Sequence, residues 1–507
     1  MELAAVVVIP ARDEEDLIAG CLEALAAQTV APGSFETIVV LDGCTDGTGR
    51  AARDAAEALG LKLTLIEGPA AGAGAARRTG MDAAAGRLFE LGLDHGLIAC
   101  TDADSRPAPD WLARQLDHLA AGAVAIAGLI ELDDEQQLAP GVLRQRRRDA
   151  EARLARVREL DPDAAHHHFA GASLAVTAAI YRDVGGLEPL AALEDAAFET
   201  RLREHRIPVT RAADVRVRTS ARLEGRASRG LAIDIAVSTW AQRRRYDAAD
   251  FPVARLIAAR GDSSVTVIVP TKQCAATIGG VLRDTVGPLV RAGVVDDVVV
   301  IDAASADGTA AVARSCGARV LQEDDLLTEH GPALGKGDAM WRGLHATDGE
   351  IVCFLDGDTT APDPRHLQGL LGPLLTDPSV SLVKGAFDRP LRVGNTEMPH
   401  EGGRVNELMA RPLLNLHEPR LAGFAQPLAG EFAGRRSLLE SIPFASGHGV
   451  EIGVLIDALR ACGLDALAEC RLGIRHNRHQ PLRALGEMSY AVLAAVENRL
   501  GDRPRVV

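Results

Sequence analysis

The sequence predicts an α/β fold made of two successive domains, each with a mostly parallel sheet. Short β-branched runs such as VVVIP (6–10) and TIVVLD (37–42) alternate with amphipathic stretches, which is the pattern of β-α-β units. The same order of runs returns later, so that the run ending at Pro10 is matched by one ending at Pro270, 260 residues further on. A repeat of this length indicates duplication of a whole domain.

The chain length allows each copy to be a domain of its own. A chain of 507 residues is long enough for two to four domains. We expect domains at 1–250 and 262–507, with the junction in the Pro-, Gly- and Ser-containing stretch 250–264. Each half, of about 250 residues, is long enough to bury its own core.

Composition and charge exclude several classes of protein. The net charge is −15 and no long basic tract is present, which argues against nucleic acid as the main partner. The eight cysteines include no Cys-x-x-Cys pair, so neither a zinc site nor a disulfide framework is indicated. Acidic residues come too early for a signal peptide, and no apolar run approaches the roughly 20 residues of a membrane helix. We therefore expect a cytoplasmic protein without an integral membrane segment.

Aspartates stand at the ends of several predicted strands. Asp42 and Asp102 do so in the first half, and Asp302 and Asp356 in the second. Ligands of an open parallel sheet bind outside the carboxyl ends of its strands. One such aspartate is equally well explained as a helix N-cap, but its recurrence in both halves favours a binding site.

Two of these strand ends carry an Asp-x-Asp pair, at 102–104 and 356–358. Residues i and i+2 of an extended segment lie on the same side, so both carboxylates face one point. They can hold a hard divalent cation through oxygen, and such a cation would neutralise a diphosphate leaving group. Repulsion between two unpaired carboxylates makes a purely structural role less favourable.

Longer motifs resemble known glycosyltransferases. VVVIPARDEE (6–15), VVLDGCTDGT (39–48), CTDADSRP (100–107) and LEDAAFETRLREHRIPV (193–209) resemble the family 2 glycosyltransferases over residues 4–230. That resemblance implies a nucleotide-sugar-binding GT-A fold. Residues 264–495 are similar to the glucosyl-3-phosphoglycerate synthases in motifs such as GPALGKGDAMWRGL, IVCFLDGD, GGRVNELMARPLL and GVEIG. Members of this second group move glucose from UDP-glucose to 3-phosphoglycerate with retention of configuration.

The resemblance assigns roles in the second half, residue by residue. It implies that the donor is bound by Pro270, Thr271, Asp302, Ala303, Lys336 and Asp356. It implies that the acceptor phosphate is bound by Gly403, Arg404 and Asn406, where an arginine fork matches phosphate oxygens. Asp358 would bind the metal, Mg²⁺ or Mn²⁺, and Glu451 would act near the reacting groups. The alternatives are a solvated charge for Lys336, a surface salt bridge for Arg404 and a helix-start carboxylate for Glu451.

The second half departs from the family pattern at two places. Cys274 stands where the family has the glutamate that contacts the base. The late motif reads RHNRH (475–479) where the family has Arg-x-His-Arg-Asn, whose histidine binds metal. Either His476 or His479 could supply that imidazole, which together with carboxylates suits Mn²⁺.

The first half receives a similar set of roles. Asp102 and Asp104 would bind the metal and diphosphate, with Pro10 and Asp42 near the nucleotide. Asp195 resembles the general base of inverting members, which deprotonates the acceptor hydroxyl; the alternative is an acidic pair that only caps a helix.

Two further features lie outside these motifs. The histidines 166–168 cannot all face one ion easily, so we expect an exposed loop at the rim of the site. For the arginines between 216 and 229 we expect one of two roles: they contact a diphosphate or an anionic acceptor, or they are simply exposed to solvent.

Taken together, we expect a cytoplasmic tandem glycosyltransferase. The second half would transfer a hexosyl unit, glucose from UDP-glucose, to 3-phosphoglycerate or a similar phosphorylated acid, and the first half would hold a second family 2-type site. The alternatives are that only one half is catalytic, that the chain is a nucleotidyltransferase, or that it is a dinucleotide-binding module. No strand is followed at once by Gly-x-Gly-x-x-Gly or by a Lys/Arg-containing Gly-rich loop, which disfavours the last two. A homodimer is compatible with the sequence.

Overall fold

The protein consists of two compact units. The computed structural model describes residues 3–31, 33–133, 138–190, 192–222, 230–393, 396–398, 402–475 and 482–501. Contacts between residues divide the chain into a first unit, 1–239, and a second unit, 240–507. Each unit contains one eight-stranded, mostly parallel sheet with helices between its strands, so the predicted α/β class with two such sheets is confirmed.

The first unit builds its sheet from the first eight strands. They are β1 (Ala5–Ala11), β2 (Phe35–Leu41), β3 (Leu63–Glu67), β4 (Leu97–Cys100), β5 (Ser105–Pro107), β6 (Ala125–Leu132), β7 (Leu174–Thr177) and β8 (Thr210–Thr219). Their order is β3-β2-β1-β4-β7-β6-β8-β5, and β7 is antiparallel to both neighbours. The helices are α1 (Ile18–Ala26), α2 (Thr48–Leu59), α3 (Ala73–Glu90), α4 (Trp111–Ala120), α5 (Pro140–Arg158), α6 (Ala178–Asp183), α7 (Glu194–Glu204) and α8 (Leu231–Arg244), which runs across the division.

The second unit repeats this arrangement. Its strands are β9 (Arg245–Asp247), β10 (Val265–Thr271), β11 (Asp297–Asp302), β12 (Arg319–Gln322), β13 (Ile351–Phe354), β14 (Leu382–Asp388), β15 (Leu391–Val393), β16 (Thr396–Met398), β17 (Phe432–Arg435) and β18 (Leu467–Ile474). The sheet order is β12-β11-β10-β13-β17-β14-β18-β9, with β17 antiparallel to both neighbours, while β15 and β16 form a separate hairpin. The helices are α9 (Val253–Arg260), α10 (Ile278–Gly280), α11 (Gly287–Arg291), α12 (Thr309–Ser315), α13 (Lys336–His345), α14 (Pro364–Thr376), α15 (Arg411–His417), α16 (Arg436–Ser441), α17 (Val450–Cys462) and α18 (Leu482–Leu500).

The central strands of both sheets are buried on both faces. In β1, alternate residues enter two different cores: Val6 and Val8 pack toward α3, while Val7 and Ile9 pack toward α1. This is why β1 reads as a continuous apolar run rather than as an alternating one. The second unit has the same two cores, one on each side of β10.

The same local sequence begins a helix in both units. In each DGT segment the aspartate accepts the backbone N–H of the threonine, at 3.0 Å for Asp46 with Thr48 and for Asp307 with Thr309. The threonine hydroxyl in turn accepts a backbone N–H from the loop after the first strand, at 2.8 Å from Glu14 or Cys274. The duplicated sequence therefore fixes the loops at the carboxyl edge of each sheet in the same way.

The division between the units falls earlier in the chain than the expected junction at 250–264. The reason is that β9 pairs in parallel with β18 at the edge of the second sheet. Phe251 and Leu256 also lie in the core of the second unit. In the first unit the edge is instead β5, which pairs antiparallel with β8. Among the described residues, no helix combines the length and the apolar character needed to cross a membrane.

Candidate active sites

A half-buried lysine joins two carboxylates at the carboxyl edge of the second sheet. Lys336, the first residue of α13, donates to Asp356 at 2.6 Å and to Glu451 at 2.8 Å. Asp356 follows β13, and Glu451 lies in the first turn of α17. Burial alone would lower the pKa of Lys336, but the two carboxylates outweigh it and raise that pKa. The lysine is therefore a fixed positive charge, and the solvated alternative is not what the structure shows.

Arg475 adds a second cation to this cluster. Its guanidinium contacts Asp356 at 3.1 Å and Asp358 at 3.4 Å, and it also pairs with the buried Glu431. Burial would raise the pKa of Asp356, but Lys336 and then Arg475 outweigh it and hold that pKa well below its usual range. Asp356 is thus ionised and held in position by two cations.

The two carboxylates of the Asp-x-Asp pair differ in access to solvent. The Asp356 side chain is 20% exposed, whereas that of Asp358 is 69% exposed. The exposed Asp358 oxygens offer the hard ligands that Mg²⁺ and Mn²⁺ prefer, so the residues of the second unit fit a divalent cation. The predicted metal ligands His476 and His479 lie outside the described residues.

The remaining predicted donor residues lie at the ends of β10 and β11. Pro270 and Thr271 end β10, and the Ala303 N–H donates to the Thr271 carbonyl at 2.9 Å. Asp302 is buried and accepts hydrogen bonds from the Ser305 N–H at 3.2 Å and from the Gln322 amide at 3.1 Å. Its carboxylate therefore holds the loop that follows β11.

Cys274 lies directly against the Asp-x-Asp turn. A Cβ added at Gly357 would lie 3.6 Å from its sulfur. Burial raises the pKa of this thiol, so it is a neutral group at the position where the family has a glutamate.

The predicted acceptor loop lies beside a cavity of about 720 Å³. Gly403 has a φ of 70°, the left-handed region that favours glycine, and Arg404 follows it. Asn406 is buried and holds the loop, since its amide donates to the Ala425 carbonyl at 3.0 Å. The cavity is lined by four arginines and five acidic residues, together with polar and apolar groups. The charged residues are Arg245, Arg389, Arg411, Arg471, Asp247, Asp250, Asp388, Glu407 and Glu469.

Arg389 is an unusual cation in this region. Its Nε is buried and has no hydrogen-bond partner within the described ranges. Burial, and then the charge of Arg475, lower its pKa to about 10. A guanidinium whose buried Nε has an unused hydrogen is suited to receive an anionic oxygen.

The first unit builds an equivalent cluster from different residues. Arg77, in the second turn of α3, contacts Asp102 at 2.7 Å and also pairs with Glu194 at the start of α7. Asp102 and Glu194 occupy the places that Asp356 and Glu451 hold in the second unit. Burial raises the pKa of Glu194, and Arg77 opposes that rise.

Glycines mark the same point in both clusters. A Cβ at Gly430, just before β17, would lie 2.5 Å from Lys336 Nζ and from the Asp356 oxygens. A Cβ at Gly171, just before β7, would collide with the Arg77 guanidinium. The cation of each unit therefore lies at a corresponding place, although Lys336 begins its helix and Arg77 comes one turn later.

Asp104, the predicted metal ligand of the first unit, is held by an arginine. Arg222 contacts Asp104 at 3.0 Å and Glu14 at 2.6 Å. Only 14% of the Asp104 side chain is exposed. Burial and then Asp102 raise the Asp104 pKa to about 6, against the opposing charge of Arg222. A cation at Asp104 would have to displace Arg222, so this carboxylate fits a metal less well than Asp358 does.

The other predicted residues of the first unit lie around this cluster. Pro10 is buried in β1, and Asp42 accepts the N–H groups of Ala71 at 3.2 Å and Gly72 at 2.9 Å. Asp195 is half-buried, beside Glu194, and accepts the Ala196 N–H at 2.8 Å. Asp195 thus stays outside the Arg77 ion pairs that engage its neighbour.

The expected exposed histidine loop is wrong. His166 is buried and accepts the His168 N–H at 3.2 Å, while His168 accepts the Ile130 N–H at 3.1 Å. These bonds attach the segment to β6, because buried imidazoles need partners. Of the arginines between 216 and 229, Arg222 reaches the site, Arg216 and Arg218 are exposed on β8, and 223–229 lie outside the described residues.

Sequence patterns missed four residues of these clusters: Arg77, Arg389, Glu431 and Arg475. Arg222 was among the arginines between 216 and 229 that were expected either to meet an anion or to be solvated. No short motif marks Arg77, because the first half lacks a Gly-Lys at the position of Lys336. Arg475 stood in the quoted late motif, and its place next to a strand that ends at the sheet's carboxyl edge was the available signal.

Comparison with known proteins gives the family. The model of "Glycosyl transferase family 2" matches residues 6–177 and 266–449. A glucosyl-3-phosphoglycerate synthase of Mycolicibacterium smegmatis is 44% identical over 262 residues, which is 52% of this chain and 86% of that protein.

Two solved structures are also similar. The mannosyl-3-phosphoglycerate synthase of Rubrobacter xylanophilus shares 44% identity with a TM-score of 0.50, covering 54% of this chain and 86% of that one. The glucosyl-3-phosphoglycerate synthase of Mycobacterium tuberculosis, solved with Mn²⁺, UDP-glucose and phosphoglyceric acid, shares 42% identity with a TM-score of 0.46, covering 50% and 85%. Since the family model matches both units, this chain belongs to glycosyl transferase family 2 and is a nucleotide-sugar glycosyltransferase.

Proposed function

We propose that the second unit transfers glucose from UDP-glucose to 3-phosphoglycerate. The support from sequence is the similarity to glucosyl-3-phosphoglycerate synthases, whose motifs lie in residues 264–495. The observation on which the proposal depends is the Lys336 bridge between Asp356 and Glu451, with Arg475 on the other side of Asp356. Two fixed cations at the end of β13 suit a nucleoside diphosphate, whose charge grows as the sugar leaves.

A divalent cation, Mg²⁺ or Mn²⁺, is part of the proposal. Asp358, with Asp356 beside it, would hold the ion. When bound, it supplies charge neutralisation at the diphosphate leaving group. The exposed carboxylate of Asp358 supports this assignment.

The residues of the cluster act by positioning rather than as a base. Glu451 is engaged by Lys336, and Glu431 and Asp356 are engaged by Arg475. None of the three is therefore ready to take a proton from the acceptor. We propose front-face attack, in which the leaving diphosphate oxygen takes the acceptor's hydroxyl proton while the protein orients both substrates.

The acceptor would lie in the cavity next to Gly403 and Arg404, whose lining combines four arginines with five acidic residues. Three of these arginines pair with carboxylates of the same lining, namely Arg245 with Glu469, Arg411 with Glu407 and Arg471 with Asp388. Binding of an anionic acceptor would therefore depend mainly on Arg389. The unused, buried Nε of Arg389 supports an anionic ligand here.

The first unit would carry a second glycosyl transfer site, with Asp195 as general base. Support comes from the repeated cluster: Arg77 engages Glu194 and leaves Asp195 outside the ion pairs. A general base must be free to accept the proton of the acceptor hydroxyl. One observation favours a rival in which only the second unit is catalytic, namely the Arg222 guanidinium that covers Asp104.

A panel of substrates tests the proposal for the second unit. The protein is incubated with 3-phosphoglycerate or glycerate, with UDP-glucose or GDP-mannose, and with Mn²⁺ or Mg²⁺. Mass spectrometry is expected to find a hexosyl-phosphoglycerate from UDP-glucose and 3-phosphoglycerate. The mannosyl enzyme among the similar structures makes GDP-mannose the informative competitor. Transfer to glycerate but not to 3-phosphoglycerate would contradict the proposed acceptor, and preferential use of GDP-mannose would contradict the proposed donor.

We also propose that the enzyme works in the cytoplasm as a homodimer. Sedimentation equilibrium of the full chain is expected to give twice the 53.4 kDa chain mass. A monomer at micromolar concentration would contradict the dimer, and recovery in the membrane fraction of its cells would contradict the location.

A further inference from the structure

Each unit has an arginine shortly after the strand in the seventh position of its sheet. This strand is β8 in the first unit and β18 in the second, and each runs parallel to the strand before it in the sheet order, β6 or β14. Arg222, after β8, contacts Asp104, the second aspartate of its Asp-x-Asp pair, at 3.0 Å. Arg475, after β18, contacts Asp358 at 3.4 Å. The two arginines therefore correspond in position.

The first unit anchors its arginine on the loop after β1. The Arg222 guanidinium donates to both carboxylate oxygens of Glu14, at 2.6 and 2.9 Å, and Glu14 is only 7% exposed. Cys274 takes the place of Glu14 in the second unit, because the backbone N–H of each residue donates to the threonine hydroxyl of its DGT segment. A neutral thiol does not bind a guanidinium as a carboxylate does, so Cys274 supplies no such anchor for Arg475.

Both carboxylate oxygens of Asp104 are engaged by the protein. Arg222 contacts Oδ2, and the hydroxyl of the buried Thr219, the last residue of β8, donates to Oδ1 at 3.4 Å. An ion at Asp104 would have to displace Arg222, which would leave Glu14 buried without its counter-ion. Breaking a buried ion pair in this way is costly, so the contact of Arg222 with Glu14 keeps an ion away from Asp104.

The second unit anchors its arginine on a different carboxylate. Arg475 is 1% exposed and pairs with Glu431, which is itself 3% exposed, and with Asp356 at 3.1 Å. Its contact with Asp358 is longer, at 3.4 Å, and the Asp358 side chain is 69% exposed. A cation can therefore reach Asp358 from solvent without breaking the pair between Arg475 and Glu431.

We propose that Arg222 takes the place of a divalent cation in the first unit, so that this unit binds no metal ion at Asp104 and holds the diphosphate of its donor through guanidinium groups. Arg77 and Arg222 each engage one aspartate of the pair at 102–104. Two planar guanidinium forks match the oxygens of a diphosphate without an ion between ligand and carboxylates. The diphosphate role rests on the proposed function of the first unit, whereas the exclusion of the ion does not.

Counting bound Mn²⁺ in the full-length chain tests the exclusion of the ion. Electron paramagnetic resonance measures the number of Mn²⁺ ions per chain, with and without saturating UDP. The variants are Asp104→Asn, Arg222→Gln, Arg222→Gln/Asp104→Asn and Glu14→Gln/Arg222→Gln, the last of which removes both partners of the buried pair. Arg218→Gln is the control, because that side chain lies on β8 and is 69% exposed. Thermal unfolding checks that each variant is folded.

Arg222→Gln is expected to bind one Mn²⁺ per chain more than the parent, because Asp104 is then open to the ion. Glu14→Gln/Arg222→Gln should show the same gain, and Arg222→Gln/Asp104→Asn should lose it. Asp104→Asn and Arg218→Gln are expected to bind as many ions as the parent. Loss of one ion in Asp104→Asn would overturn the proposal, and so would the lack of a gain in Arg222→Gln and Glu14→Gln/Arg222→Gln.

Isothermal titration in EDTA tests the diphosphate role, with UDP and GDP as probes. The background is Lys336→Met, which removes the donor-binding cation proposed for the second unit. Adding Arg222→Gln is expected to weaken binding of the tighter probe at least fivefold, and adding Arg218→Gln to leave it within twofold. Equal affinities of these two chains would overturn the diphosphate role of Arg222.

Failure of this inference is distinguishable from failure of the proposed function. Asp358→Ala is expected to bind one Mn²⁺ fewer than the parent, and an unchanged number would contradict the metal proposed for the second unit without affecting Arg222. If Arg222 excludes the ion and binds the diphosphate but the Lys336→Met chain neither transfers nor hydrolyses the sugar of any nucleotide sugar, the transferase role of the first unit fails and the assignment of Arg222 stands.

Discussion

Lys336 and Arg77 have the same electrostatic role in their units, although their side chains differ. Each places a cation between the first aspartate of an Asp-x-Asp pair and a glutamate at the start of a helix. Removing one partner of a buried ion pair leaves an uncompensated charge and costs about 3–5 kcal/mol. The two residues therefore give a matched pair of substitutions.

Lys336→Met is expected to lower hexosyl transfer to 3-phosphoglycerate by about 100-fold or more, since each 1.36 kcal/mol is roughly a factor of ten in rate. The loss follows because Asp356 and Glu451 then repel each other beside the diphosphate. Arg77→Met, the control in the first unit, is expected to leave this reaction within a few-fold. Steady-state kinetics of both variants measure it, and an equal loss in the two would contradict the assignment of the reaction to the second unit.

Gly430 tests how closely the backbone approaches the site. Gly430→Ala adds a Cβ that would lie 2.5 Å from Lys336 Nζ and the Asp356 oxygens, so we expect a clear fall in transfer rate. Gly486→Ala is the control, because a Cβ there meets nothing within 4 Å and Ala stabilises a helix interior by up to about 1 kcal/mol. If Gly430→Ala keeps full activity in the transfer assay, the described approach of Gly430 to Lys336 is wrong.

Lys384 makes stability depend on pH. It is fully buried, donates to the Ala429 carbonyl at 2.5 Å, and burial lowers its pKa to about 7. The unfolded chain keeps this amine protonated up to about pH 10.5, so between pH 7 and 10.5 it binds more protons than the folded chain does. Folding therefore gains stability as pH rises through this window.

Lys384→Met removes this dependence. Below pH 7 the variant is expected to have a higher free energy of unfolding than the parent. This difference between variant and parent is expected to shrink by about 4 kcal/mol by pH 10, at about 1.4 kcal/mol per pKa unit. Urea unfolding at several pH values measures the difference, with the exposed Lys272→Met as control. A difference that does not change between pH 6 and 10 would refute the burial of a titrating amine.

At the scale of elements, residues 240–260 belong to the second unit. Trp240 is 1% exposed, its ring lies 4.5 Å from Phe424, and its Nε1–H donates to the Leu467 carbonyl at 2.7 Å. Trp240→Ala is expected to destabilise the second unit by about 3–5 kcal/mol, as large-to-small changes in a core do. Tyr490→Ala, at a side chain 73% exposed, should shift stability by less than about 0.5 kcal/mol. Differential scanning calorimetry of both variants measures this, and equal shifts would contradict the core position of Trp240.

The sequence predicted the elements that carry strong periodic signals and missed those that do not. β1 and β10 were found because strands buried on both faces read as unbroken apolar runs. β9 has only three residues, Arg245–Asp247, and its charged residues do not distinguish it from a loop. The junction was consequently expected at the Pro- and Gly-containing stretch that follows, although α9 and Phe251 already belong to the second core.

The same contrast holds for the site. Asp102 and Asp356 were predicted because motif and strand end coincide, and Lys336 because its motif resembles that of known glycosyltransferases. Arg77 and Arg389 were not, since a long arginine reaches its partner from another turn or strand and leaves no fixed spacing in the sequence.

In the whole molecule, the two units have the same arrangement of strands but differ at the candidate active site. The sheets have corresponding strand orders apart from their last strand. Asp358 stays largely exposed beside Arg475, whereas Asp104 is mostly covered and pairs with Arg222. For this reason we propose that the two units catalyse different reactions: a metal-assisted transfer to 3-phosphoglycerate in the second unit, and a separate reaction in the first.

The most direct test of this account is hexosyl transfer from UDP-glucose to 3-phosphoglycerate by Asp358→Ala and Asp104→Ala, each in the full chain. Asp358→Ala is expected to lose transfer by about 100-fold or more, as removal of a leaving-group-stabilising interaction of several kcal/mol does, and Asp104→Ala to retain it within a few-fold. Loss in Asp104→Ala with retention in Asp358→Ala would assign the reaction to the first unit and contradict the account.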